Sequence, residues 1–245
     1  NAAYAGAWGL ARSARAEASL PLQAIDGALL AVLRCDASHV EPEVVLCVDT
    51  DLVPRLTYAP KFTHVAAARD ADSHLVAGGT SGLGLLMARW LAQRGARVLT
   101  LASRGGALGR DTAEEWVEVR SASTATLMQR CDMSEIAHVR RLVSFTHGLL
   151  TGVWHAAGVL ADALLPEQAA GALALVYAPK THGAWTLQRV SVAAPLHTCA
   201  LFSSVAALLG GAGQANYSAA NAGLDALASC WRASARAAVS VQWGA

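Results

Sequence analysis

Four polar residues in an otherwise apolar part of the chain have types and spacing suited to acting on one carbonyl group: Ser204, Tyr217, Asn221 and Lys180. Ser204 closes the run Phe202-Ser-Ser204, which reads as the end of a strand, and Tyr217 stands in the helix that follows. In Tyr217-Ser-Ala-Ala-Asn221 the asparagine lies one helical turn beyond the tyrosine, on the same face. Lys180, one of only two lysines, sits in Ala178-Pro-Lys-Thr-His-Gly, within a mostly apolar segment. Reducing a ketone requires a hydride at carbon and a proton at oxygen. A phenol, with a pKa of ~10, is a reluctant proton donor near neutrality. A neighbouring ammonium, together with the positive charge of an oxidised nicotinamide, favours the phenolate and brings such a group toward working pH. Tyr217 is the expected proton donor, Lys180 its electrostatic partner and Ser204 the donor that holds the carbonyl oxygen. Asn221 is expected to order helix backbone or water in the relay. The alternative is four polar residues on packed elements.

Such chemistry needs a hydride source, and the chain carries a candidate site for one. In His74-Leu-Val-Ala-Gly-Gly-Thr-Ser-Gly-Leu-Gly84 an apolar strand runs into Gly78-x-x-x-Gly82-x-Gly84, and a helix follows. Gly78 and Gly82 allow a tight turn and close approach to a pyrophosphate. Gly84 lets the helix pack against the strand, and the helix N-terminus offers N–H donors and partial positive charge. Thr80, Ser81 and Leu83 complete this loop, and the alternative is a tight turn without a ligand. The next strand ends at Leu101-Ala-Ser103-Arg104. An acidic residue there suits the ribose hydroxyls of NAD, whereas a guanidinium suits a 2′-phosphate, so NADPH is the expected cofactor; the alternative is a solvated loop arginine. Cys131-Asp132 follows the third strand. Asp132 suits either an adenine-edge hydrogen bond or the cap of a helix starting near Ser134. After the fourth strand, the small residues Ala156, Ala157 and Gly158 leave room for the cofactor, while His155 reads as a structural, hydrogen-bonding histidine.

These residues must be carried by alternating elements. Strands are expected at 74–77, 97–101, 124–129, 152–155, 196–203 and 239–243, and helices over 83–93, 113–119, 134–145, 168–190 and 215–233, with Pro179 kinking or interrupting the fourth. The alternation implies an α/β fold: a doubly wound parallel sheet with its ligand at the carboxyl ends of the strands. Residues 1–70 differ in texture, with a helix at 5–17 and apolar runs at 44–48 and 53–58 that, separated by 49–52, read as a hairpin or a tight strand pair. Pro60 and the polar stretch 68–73 mark a seam, giving units at 1–70 and 71–245.

Composition narrows the classes further. The 245 residues are 54% hydrophobic and 15% charged, against ~45–50% and ~25% for ordinary soluble domains, and mean hydropathy is +0.35. The longest charge-free stretch, 190–224, is broken by Pro195, His197, Gln214, Asn216, Asn221 and glycines, so no spanning helix is expected. A net charge of +1, with no basic patch interleaved with aromatics, argues against nucleic acid and anionic membranes as partners. Cys35, Cys47, Cys131, Cys199 and Cys230 are odd in number and scattered, so no disulfide or metal site is expected, and a reducing compartment, the cytoplasm, is. No signal peptide is evident at Asn1, and the chain reads as a fragment of something longer.

At the tyrosine, serine, asparagine and lysine the chain resembles a ketoreductase domain of a modular type I polyketide synthase, a branch of the short-chain dehydrogenase/reductase superfamily. Ordinary members carry Tyr-x-x-x-Lys; here Asn221 takes the lysine's place and Lys180 stands upstream, an exchange typical of that branch. The segments Trp8-Gly-Leu-Ala-Arg-Ser-Ala-Arg-Ala-Glu17 and Val53-Pro-Arg-Leu56 resemble the non-catalytic subdomain that precedes such reductases, so the similarity covers nearly the whole chain. It implies a Rossmann-like catalytic subdomain braced by a partial, degenerate Rossmann-like one. Ala77 stands where a threonine is usual before the glycine loop. The chain ends at Ala245, before the lid helix and last strand of the family, which leads us to expect a truncated catalytic subdomain.

The resemblance also carries a stereochemical fingerprint. One class has Leu-Asp-Asp after His-Ala-Ala-Gly; this chain reads Leu160-Ala161-Asp162, keeping the diagnostic second aspartate. The opposing class has a tryptophan two turns ahead of the tyrosine, where Leu209 stands here. The D-configured alcohol is therefore expected, unless Asp162 is a surface-loop charge. The implied activity is NADPH-dependent reduction of a β-ketoacyl thioester on the phosphopantetheine of an acyl carrier protein, beside other domains of the same synthase. The alternatives are a fatty acid synthase reductase, a stand-alone reductase, and a silent domain kept for scaffolding or epimerisation. The last is disfavoured because Tyr217, Ser204 and Lys180 are all present.

Overall fold

The computed structural model describes residues 5–18, 22–27, 43–46, 51–53, 73–146 and 149–244. Six parallel strands make the main sheet: β4 (Ser73–Ala77), β5 (Val98–Ser103), β6 (Ala125–Arg130), β7 (Leu150–His155), β8 (Thr198–Ser204) and β9 (Val239–Trp243). Their spatial order is β6-β5-β4-β7-β8-β9, so the chain winds outward from β4 in one direction, then returns to β7 and continues in the other. The crevice that such sheets use for ligands lies outside the carboxyl ends of β4 and β7, at this reversal. β4 is buried along its whole length, because helices cover both faces of a central parallel strand.

The covering helices are α2 (Gly82–Gln93), α3 (Ala113–Ser121) and α4 (Ile136–Ser144), then α5 (Ala172–Tyr177), α6 (Gly183–Val190), the short α7 (Ala206–Leu209) and α8 (Ala215–Ala233). One apolar core joins Leu75, Leu150, Val153, Leu201 and Leu224 between sheet, α4, α6 and α8; another joins Val76, Leu85, Leu99 and Leu101 under α2 and α3.

Several expected boundaries are corrected. The helix expected over 168–190 is two α-helices separated by a π-helical turn, Ala178–His182, and it starts at Ala172. Pro179 lacks an N–H and cannot make the regular i→i−4 bond, so the helix is interrupted there by a widened turn. α4 begins at Ile136 and not at 134, because Asp132 draws the backbone of Ser134 into a turn. α7 and a 3₁₀ turn at Leu165–Glu167 were not anticipated.

Before this sheet stand helix α1 (Ala5–Ala18) and a small sheet of β1 (Ala24–Gly27), β2 (Glu43–Leu46) and β3 (Asp51–Leu52). β2 and β3 pair antiparallel, but β3 falls at Asp51–Leu52, within the segment expected to connect the two runs, and β1, which the apolar pattern did not reveal, lies parallel to β2. The expected seam at Pro60 and most of the run 53–58 lie outside the described residues. α1 does not stand apart from the main sheet. It lies along α8, where Gly9 is so close that a β-carbon would sit 2.3 Å from the Ser218 carbonyl oxygen. Among the described residues, no helix is long and apolar enough to cross a membrane.

Candidate active site

The crevice at the strand ends opens into a cavity of about 940 Å³. One end of it is the glycine loop. Gly78 adopts φ +76°, and a β-carbon on it would lie 2.8 Å from the Ala156 carbonyl, so only glycine lets β4 turn against the end of β7. A β-carbon at Gly84 would approach the Gly78 carbonyl oxygen to 2.2 Å, which is why α2 can start directly beneath the loop. Backbone bonds from Gly78 to Ala102 and from Ala156 to Ala77, at 2.7 and 2.8 Å, tie the ends of the three central strands together. Thr80, Ser81, Gly82 and Leu83 face this end of the cavity, with the α2 N-terminus below them.

Ser103 and Arg104 line the same end from the end of β5, Cys131 and Asp132 from the end of β6, and Ala156, Ala157 and Gly158 from the end of β7. Arg104 is exposed. Asp132 closes a turn ahead of α4 and does not cap that helix, which starts at Ile136. It lines the cavity, and its Oδ1 accepts from the Ser134 hydroxyl at 2.6 Å and backbone N–H at 2.9 Å. The Ser134 hydroxyl bond holds its carboxyl below the usual range despite partial burial, with Arg104 among the further contributors. Burial pushes the Cys131 thiol up to about 11, so it stays a thiol and acts as packing. Among the described residues no group of three or more His, Cys, Asp or Glu is placed to hold a metal ion.

The other end of the cavity carries Ser204, Tyr217 and Lys180. Tyr217 lies in the first turn of α8 and Ser204 at the end of β8, so two different elements bring them to one cavity wall. Lys180 reaches them from the π-helical turn. Its side chain is 5% exposed, and its Nζ lies 4.9 Å from the centre of the Tyr217 ring, donates to Asn221 Oδ1 at 2.9 Å and donates to the Phe202 carbonyl at 3.2 Å. Burial lowers its pKa to about 8, opposed by the charge of Asp225.

Asn221 is fully buried and does not face the cavity. Its amide instead links the lysine to the helix, accepting from Lys180 and donating to the Tyr217 carbonyl at 2.9 Å. His155 is fully buried, and burial depresses its pKa to about 4, so the ring is neutral. Its Nε2 pairs with the Lys180 carbonyl oxygen at 2.9 Å and so steadies the turn that presents the lysine.

Asp162 does not line the cavity. It accepts from Gln214 Nε2 at 3.3 Å, and Gln214 does line it, as does Leu209, which is 68% exposed. Gln214 was not singled out from the sequence. It stands three residues before Tyr217, where the local pattern gives no periodic signal because the backbone is a loop. Trp243, at the end of β9, also reaches the wall and stacks obliquely on Phe202, with ring centres 5.3 Å apart.

The glycine cradle, the helix N-terminus below it and a cavity continuous with Tyr217 fit a bound dinucleotide with its nicotinamide toward the tyrosine. The cradle is a property of this chain's backbone, since a β-carbon at Gly78 would collide with the backbone of Ala156 and Ala157.

Comparisons with known proteins agree with this geometry. The family described as KR domain matches residues 72–245. Chalcone synthase cfoA of Aspergillus candidus is 36% identical over 98% of this chain, and Polyketide synthase GfsA of Streptomyces halstedii is likewise 36% identical over 98%. The chain spans only 9% and 3% of those two proteins, which are far longer. Among solved structures, A-type ketoreductases from a modular polyketide synthase superpose with a TM-score of 0.89 at 32% identity, over 99% of this chain and 55% of theirs. The first ketoreductase of the tylosin polyketide synthase gives 0.85 at 32%, over 98% and 54%.

Proposed function

This chain belongs to the KR domain family, the nicotinamide-dependent ketoreductases of polyketide synthases, and from that membership we propose the reaction, substrate and residue roles that follow. The chain reduces a β-ketoacyl thioester to the β-hydroxyacyl thioester during polyketide assembly, using NADPH. The observation that carries this reading is Lys180 Nζ held 4.9 Å from the centre of the Tyr217 ring, at the far end of a cavity that begins at the glycine cradle.

The thioester's β-carbonyl oxygen lies between the Ser204 and Tyr217 hydroxyls, which donate to it and polarise the carbon. The bound nicotinamide supplies the hydride. Tyr217 releases its proton to the oxygen as negative charge builds there, and the Lys180 ammonium stabilises the phenolate left behind. Asn221 keeps Lys180 at that distance, because its amide is fixed at both ends. Arg104 supports NADPH over NADH, since an exposed guanidinium at the end of β5 suits a 2′-phosphate.

The substrate arrives on the phosphopantetheine of an acyl carrier protein, and residues 1–70 form a bracing subdomain for the catalytic unit at 71–245. The scattered cysteines support the cytoplasm as its compartment. The product is the D-alcohol. The backbone is close to A-type reductases, so the stereochemical sense rests on side chains: Asp162 present and leucine, not tryptophan, at 209.

The test follows NADPH oxidation with a β-ketoacyl N-acetylcysteamine thioester, beside NADH and Tyr217→Phe. The expected outcome is turnover with NADPH and its loss, by about 10²-fold or more, in the variant. Full activity in Tyr217→Phe contradicts the mechanism, and equal use of NADH contradicts the role of Arg104.

A further inference from the structure

Glu17 lies in the last turn of α1, where a carboxylate opposes the helix dipole and a cation is the favoured residue. Its side chain is engaged elsewhere. Oε2 accepts from the Leu165 backbone N–H at 2.7 Å and Oε1 from the Gly213 N–H at 3.0 Å. The two amides belong to different loops, one following β7 and one preceding α8. The loops are also stitched to each other, through Ala163 N–H to the Gly213 carbonyl at 2.9 Å and Asn216 Nδ2 to the Ala161 carbonyl at 2.7 Å. Leu160 on the first loop and Gly210 and Gln214 on the second line the cavity at the end that holds Ser204 and Tyr217. The glycine cradle is held by other bonds, among the ends of β4, β5 and β7, and among the described residues the side-chain bonds of Glu17 go to Leu165 and Gly213.

We propose that Glu17 is a positioning residue for substrate: one carboxylate of the leading helix holds both loops of the substrate end in register with Tyr217, setting acyl-substrate affinity and product stereochemistry without touching the substrate. This rests on the reductase reading above. A carboxylate is suited to the task because it offers two acceptors, and charge-assisted bonds to backbone N–H are stronger than neutral ones. Glutamine offers one acceptor and turns a donor toward the other amide, so Glu17→Gln frees at least one loop while preserving size.

The experiment compares wild type, Glu17→Gln, Glu17→Ala and Arg15→Gln in the full chain. Arg15 is on the same helix and pairs with Glu43 and the Leu22 carbonyl, so its loss lowers Tm without touching either loop. For Glu17→Gln the expected result is a KM for the thioester raised about tenfold, with kcat within about threefold, the NADPH dissociation constant unchanged and the opposite alcohol configuration appearing in the product. Arg15→Gln is expected to keep the wild-type KM and product ratio. Hydrogen exchange provides a reading independent of turnover: amides of residues 161–168 and 210–216 are expected to exchange faster in Glu17→Gln while those of β4 and α2 do not change. Unchanged exchange in both loops overturns the proposal, as does a wild-type KM and product ratio in both Glu17 variants. A parallel rise in KM and NADPH dissociation constant, shared by Arg15→Gln, also overturns it by reducing Glu17 to general stability. Absent wild-type turnover with loops loosened in Glu17→Gln contradicts the reductase reading and leaves the clamp standing.

Discussion

In the proposed mechanism, Lys180 is the residue whose ionisation sets the working range of the site. Its folded pKa of about 8, against an ordinary value of 10.5, follows from burial. As pH rises through about 8 the ammonium is lost, and the positive partner of the Tyr217 phenol goes with it. The reductase rate is therefore expected to fall above pH 8. In Lys180→Met that limb is expected to vanish and the plateau to drop by about 10²-fold or more; a limb that survives in the variant assigns the titration to another group. The same shift has a stability consequence. Between about 8 and 10.5 the unfolded chain binds more protons at this lysine than the folded one, so burying Lys180 costs stability below pH 8, and that cost fades as pH rises toward 10.5. At the opposite end of the cavity, Arg104→Ser is expected to weaken NADPH binding about tenfold or more while leaving NADH binding unchanged. Titrating both cofactors against both proteins measures this directly.

At the scale of elements, the contact of α1 with α8 positions the first turn of α8, and thus Tyr217. Ser13 donates to Ser218 Oγ at 2.8 Å, and Ser218 is the residue next to the tyrosine. Gly9→Val puts two methyl groups where even a β-carbon lies 2.3 Å from the Ser218 carbonyl oxygen. The helices must separate, and Tm is expected to fall by roughly 3–10 °C with a loss of activity that exceeds the loss of folded protein. Circular dichroism melting beside turnover per folded molecule separates the two. The π-helical turn works in the same manner for Lys180: Pro179 forces the widening, and the buried His155 fixes the Lys180 carbonyl.

At the scale of the whole molecule, acid is expected to weaken the fold through two buried groups. His155 titrates at about 4 when folded and at 6.5 ordinarily, so between those values the unfolded chain binds more protons and stability falls as pH drops. Burial raises the pKa of Glu43, but the guanidiniums of Arg12 and Arg15 outweigh that and hold it below its ordinary value; its contribution is present above pH 4.5 and lost as pH falls through the folded value. Urea midpoints measured from pH 7 to pH 4 are expected to decline, less steeply in His155→Gln, which keeps an N–H donor but does not titrate. Local signals in the chain foretold much of this molecule. The alternation of strand and helix, the glycine loop and the Tyr217–Asn221 pair are short-range patterns, because a period of two or 3.6 and a turn of fixed length need only neighbouring residues. Lys180, 37 positions before Tyr217, stands out as a rare lysine in an apolar segment and through the family resemblance, and not through helical or strand spacing. The parallel strand β1 and the grip of Glu17 on two loops were decided by tertiary structure alone. Each depends on which distant backbone groups are left without partners when the sheet closes, and a buried amide or carbonyl is satisfied by whatever side chain the fold brings to it.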